Sequence, residues 1–128
     1  MREEPTASEL LDIVAEFLRA EVLPALTGRV AFHARVAANV LDTVRREMAL
    51  SPSALAGETE RLRALLGHDG DGAELNRELC EKIAGGEVDT NSPELIRHLW
   101  ATTIDTMSID QPNYATYRRA IAGKPGDA

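Results

Sequence analysis

The sequence predicts an all-α fold: a helical bundle of five or six helices built on a long N-terminal antiparallel helical hairpin. Three observations carry this. Every apolar run repeats at three- and four-residue spacing, the period of a helix with one covered face. No stretch alternates with the two-residue period of a strand. Helix starts and stops recur, with Thr6, Asp71 and Ser92-Pro93 as starts and Pro24 and Gly85-Gly86 as stops.

The first helix opens at Thr6, with Glu9 three residues on to complete a capping box. Leu10, Ile13, Val14, Phe17 and Leu18 share one face, and Pro24 is expected to end the helix just before itself. A second helix is read from Gly28 to Leu50, its stripe formed by Val30, Ala34, Ala37, Leu41, Val44 and Met48 and widened by Val36 and Val40. The short connection between the two implies the antiparallel hairpin. Ser51-Pro52-Ser53 is expected to break the helix. A third helix then runs from Ser53 to Leu66, with Leu55, Leu62, Leu65 and Leu66 inward.

Gly67-His68-Asp69-Gly70-Asp71-Gly72 reads as a loop whose Asp71 caps a fourth helix, with Leu75, Leu79 and Ile83 inside. Pro93 is placed at the first position of a fifth helix, where no amide bond is lost. That helix carries Leu95, Ile96, Leu99, Trp100, Ile104 and Met107 as its stripe. After Pro112 a short sixth helix presents Tyr114, Tyr117 and Ile121. Residues 1–122 read as one domain and 123–128 as a disordered tail.

Composition excludes several functions. The chain of 128 residues has a formal net charge of −7, which repels phosphate backbones and anionic membrane surfaces. No apolar stretch is long enough for a membrane span, and the first residues carry no apolar signal region, so the expected location is the cytoplasm. One cysteine, Cys80, rules out an internal disulfide and a cysteine metal cluster, and it is expected to be a half-buried inert thiol. No phosphate loop, dinucleotide fingerprint or serine elbow is present, and no cofactor is implied.

The candidate ligand-binding residues lie at the hairpin end. Glu21 falls within the apolar face of the first helix and His33 within that of the second, with Arg29 one turn before His33 and Arg35 nearby. Two readings stand. A Glu-oriented His beside Arg suits a small anionic ligand or a base. Alternatively, the group is a structural cluster, in which buried polar side chains satisfy one another. The structural role is the more frequent one for such clusters. Under either reading Glu21 and His33 are expected within hydrogen-bonding reach. Glu94 and His98, four residues apart on the fifth helix, read as a pair on a solvated face rather than metal ligands. Asp69-Gly70-Asp71-Gly72 lacks the ligand spacing of a calcium loop and reads as a turn. Trp100, Tyr114 and Tyr117 are set either to anchor a partner or to fill the core, the core being the commoner use.

Four segments carry a resemblance. They are Pro-Thr-Ala-Ser-Glu-Leu-Leu from Pro5, Leu-Pro-Ala-Leu-Thr-Gly-Arg-Val-Ala-Phe-His-Ala-Arg-Val-Ala-Ala-Asn-Val-Leu from Leu23, Arg-Arg-Glu from Arg45 and Asp-Gln-Pro-Asn-Tyr from Asp110. Together they resemble a small bacterial family of unknown function whose members are encoded beside acyl-CoA dehydrogenases and aminoglycoside-phosphotransferase-like kinases. The resemblance implies an accessory role in acyl-CoA or carboxylic-acid breakdown. It implies no catalytic residue.

Two functions follow as expectations. The first is an interaction module that binds a kinase-like or acyl-CoA dehydrogenase-like protein and associates as a homodimer through the broad Ala- and Val-rich face of the second helix. The second is a small-ligand-binding protein or enzyme using Glu21, Arg29, His33 and Arg35. With no catalytic constellation in the sequence, the first is favoured.

Overall fold

The computed structural model describes residues 4–123. Five α-helices are formed: α1 (Ala7–Phe17), α2 (Gly28–Leu66), α3 (Gly72–Ala84), α4 (Pro93–Asp110) and α5 (Ala115–Ala122). Among the described residues there is no strand, so the all-α class is observed. Of the tail read at 123–128, all but Gly123 lies outside the described residues. Contacts divide the chain into two compact units, Met1–Ser51 and Pro52–Ala128.

The first unit is the antiparallel hairpin of α1 and the leading part of α2. The Thr6 hydroxyl accepts from the Glu9 amide, and Glu9 accepts from the Thr6 amide, so two orphan amides of the first turn are satisfied. The chain does not stop before Pro24 as expected. It passes through a π-helical turn, Leu18–Val22, and a short 3-10 turn, Leu23–Ala25. Pro24 has no amide with which to continue the α-helical ladder, while the Leu23 amide reaches five residues back to the Leu18 carbonyl. Across the hairpin, Arg19 pairs with Asp42 and Arg45 with Asp12, each at 2.6 Å.

The centre of the hairpin seam is made of small residues. Ala15 and Ala38 are buried, with Leu11, Leu18, Ala31, Ala34 and Leu41 half-buried beside them. Alanines let the two helix backbones approach closely. The larger apolar residues read as the packing stripes stand instead on the flank: Leu10, Ile13, Val14 and Phe17 of α1, with Val30, Val36, Val40, Val44 and Met48 of α2, are all exposed. Within a two-helix hairpin each helix covers only one strip of the other, so a wide apolar face on each is not covered inside it.

The expected break at Pro52 is not observed; α2 is continuous to Leu66 with Pro52 inside it. The proline removes the amide that would bond the Met48 carbonyl, a cost of about 3 kcal/mol that helical sequence on both sides absorbs. Leu55, expected inward, is exposed. Gly67 ends the helix in a left-handed conformation (φ 79°), its amide bonded to the Arg63 carbonyl at 2.8 Å.

The second unit packs the end of α2 with α3, α4 and α5. Leu62, Leu75, Leu79 and Leu95 form its buried core, with Leu65, Leu66, Ile83 and Val88 against them. Asp71 caps α3 by accepting from the Glu74 amide, and Ser92 caps α4 by accepting from the Leu95 amide. The loop before α3 is held by the Arg63 pairs with Glu60 and Asp69 and by His68 Nε2, 2.9 Å from both Glu78 carboxylate oxygens.

Candidate functional site

Glu21 stands in the π-helical turn, and Arg29, His33 and Arg35 stand in the first two turns of α2. All four are exposed. Among the described residues no hydrogen bond or ion pair joins any two of them, so the expected Glu21–His33 contact is not formed. The ring of His33 meets that of Phe32 edge-on, with centroids 5.7 Å apart. The alanine seam gives the physical reason. Glu21 and His33 share the flank of the large apolar residues rather than the seam, so both are solvated and neither requires the other.

That flank has a defined geometry. At about 100° of rotation per residue, the exposed stripe of each helix lies roughly 100° before its buried seam. Because the helices run antiparallel, rotations of the same sense bring both stripes to the same side of the hairpin. The hairpin therefore has one apolar face, with Glu21 and His33 at its tip end, and a polar face opposite.

The second unit holds a site that the sequence reading missed. His98 is 2% exposed, not on a solvated face. Arg61 Nε donates to its Nδ1 at 3.1 Å, and Arg61 also donates to the Thr102 hydroxyl at 3.1 Å. Burial, and then the Arg61 charge, hold the His98 imidazole below its ordinary pKa. It is therefore neutral, with the acceptor nitrogen toward Arg61. Beside it, Arg61, Ala64, Leu65, Glu94, Arg97 and His98 line a cleft of about 200 Å³. A second cleft, of about 340 Å³, is lined by Arg61 together with Trp100, Ala101, Ile104, Asp105, Ala120 and Ile121.

The orientation of α4 follows from the same contacts. Leu95 and His98 are buried and Ala101, Thr102 and Asp105 half-buried, while Ile96, Leu99 and Trp100 are exposed, Trp100 by 56%. The helix thus turns Leu95, His98 and Thr102 inward and Ile96, Leu99 and Trp100 outward, with Ile104 and Met107 of the expected stripe half-buried. The signal was in the sequence: Leu95, His98, Thr102 and Asp105 recur at three- and four-residue spacing. The heavier apolar stripe beside them masked it. Trp100 and Tyr114 are exposed rather than filling the core, and Cys80 is exposed rather than half-buried.

Among the described residues no group of three or more His, Cys, Asp or Glu side chains is placed to hold a metal ion. No described helix is long and apolar enough to cross a membrane. A family described as a domain of unknown function, DUF6285, matches residues 24–114. The chain belongs to that family. The DUF6285 match runs from Pro24, before α2, to Tyr114, before α5, and so takes in the Arg61–His98–Thr102 cluster and the outward stripe of α4. No curated protein and no solved structure matches the chain.

Proposed function

We propose that this chain is a protein-interaction module that docks a larger enzyme on the outward face of α4. The observation that carries the reading is the inverted helix. Burying His98 while exposing Ile96, Leu99 and Trp100 is unfavourable for an isolated domain and becomes favourable once a partner covers the outer stripe. Trp is the side chain most enriched at the energetic centres of interfaces, and here it borders a cleft into which a partner side chain fits. The buried Arg61–His98–Thr102 bonds hold the inner face of α4 in place and so fix which side chains point outward.

The resemblance in the hairpin and after α4 supports a kinase-like or acyl-CoA dehydrogenase-like enzyme as the partner, and an accessory role in acyl-CoA or carboxylic-acid breakdown. The alternative, a small-ligand site on Glu21, Arg29, His33 and Arg35, draws no support from geometry, because the four are solvated and unlinked. The test is affinity purification from the native host with mass-spectrometric identification of retained proteins. Wild-type chain is expected to retain one larger enzyme, and Trp100→Glu, with unchanged helicity, to lose it. Retention unaffected by Trp100→Glu and by Leu99→Asp would remove α4 from the interface.

A further inference from the structure

We infer that the apolar face of the hairpin is closed by a second copy of this chain, packed antiparallel about a two-fold axis. The surface is distinct from the α4 face, and two observations specify its occupant. The first is area. The nine large side chains of the face are each about half exposed, which amounts to roughly 800 Å² of apolar surface, one partner's share of a standard interface.

The second is a self-complementary charge pattern. Arg29, Val36, Val40 and Glu47 fall on one outer edge of α2 at spacings of seven, four and seven residues, within a narrow arc of the helix. The pattern is symmetric about the level of Ala38 in position and opposite in charge at its two ends. Rotating a copy by half a turn about an axis at that level sets Arg29 against Glu47 of the other copy, and Val36 against Val40. Both charged residues are exposed, and among the described residues neither has a hydrogen-bond or ion-pair partner within the chain. Asp12, Arg19, Asp42 and Arg45, by contrast, pair within the chain on the polar side. A parallel copy would set Arg29 against Arg29 and Glu47 against Glu47. The two-fold arrangement builds a four-helix core from two hairpins, the smallest assembly that covers both apolar stripes at once.

The experiment is a charge-swap series on the full chain, read by sedimentation equilibrium and by native mass spectrometry with one variant isotopically heavy. Wild type is expected to be a dimer. Arg29→Glu and Glu47→Arg each convert two unlike contacts into two like ones, and each is expected to weaken the dimer about tenfold. An equal mixture of the two variants pairs Glu with Arg at both ends. It is expected to give a mixed dimer of wild-type affinity, a result that a merely structural role of either residue does not produce. Val40→Asp, at an exposed position that leaves the hairpin seam intact, is expected to give a helical monomer. A wild-type chain that stays monomeric at hundreds of micromolar overturns the proposal. So does a dimer that Val40→Asp leaves intact, or a mixture that fails to recover what the single swaps lose. None of these substitutions lies in α4, so failure here leaves the enzyme-docking reading standing, and failure of that reading leaves the dimer standing.

Discussion

Arg61 Nε donates to His98 Nδ1 across 3.1 Å, and this one bond fixes the charge and the tautomer of a histidine at the base of α4. With Nδ1 accepting, the proton of the neutral ring resides on Nε2. The guanidinium beside it disfavours a second proton, and burial acts in the same direction, as the larger cause.

A pH dependence of stability follows. The unfolded chain takes up the His98 proton more readily than the folded one. The stability linked to this residue is therefore complete above the unfolded value, about 6.5, and is lost as pH falls through the lower folded value. His68 runs the other way: its hydrogen bond to Glu78 raises its pKa, so its contribution is complete below about 6.5 and is lost as pH rises through the folded value. His68 is solvent-exposed, and its part is screened. Denaturant titrations from mildly alkaline to mildly acidic pH should show a net loss of stability toward acid, and His98→Gln should flatten that limb. An unchanged slope in His98→Gln would assign the pH dependence elsewhere.

Removing the buried ring altogether should be costly. His98→Ala opens a cavity in the α4 contact and leaves Arg61 Nε without its acceptor, a loss of about 2–4 kcal/mol. Equilibrium unfolding measures it, and a loss below 1 kcal/mol, about the level of a surface substitution, would contradict the burial.

The hairpin pairs carry a smaller prediction. The Arg19 hydrogen bond, ahead of the opposing effect of burial, holds the Asp42 carboxyl below its ordinary range. The pair is partly exposed, so Asp42→Ala should cost about 0.5–1 kcal/mol. A double-mutant cycle with Arg19→Ala should then show non-additivity, whereas Glu21→Ala and His33→Ala, which share no contact, should add when the chain is held monomeric.

Pro52 makes a prediction of the opposite sign. Within a continuous α2, Pro52→Ala restores an amide for the Met48 carbonyl and should stabilise the chain by about 1–3 kcal/mol. If the substitution destabilised the chain, the helix would not be continuous there.

How much of this was legible in the sequence differs between elements. The helix ends were, because caps are local chemistry: Thr6 with Glu9, Asp71 and Ser92-Pro93 act within one turn and owe nothing to tertiary packing. The direction each helix faces was not. Periodicity reports that a stripe is apolar but not whether the chain or another molecule covers it. In α1 and α2 the centre of the seam went to Ala15 and Ala38 and most of the larger residues went outward; in α4 the stripe containing His98 went inward. The Glu21–His33 contact failed for the same reason, since it assumed that the apolar flank was the seam. Helix α2 ran through Pro52 because one lost bond is less than the cost of ending two helices, a balance that no local pattern displays.

The most direct test of the central claim is site-specific photo-crosslinking from the outward stripe of α4 in the native host. A photoreactive phenylalanine analogue at Leu99 should crosslink to one larger enzyme, identified by mass spectrometry, while the same group at exposed Arg77 of α3 should give no such product. Equal crosslinking from both positions, or none from Leu99 while the folded chain is present, would contradict the assignment of α4 as the docking face.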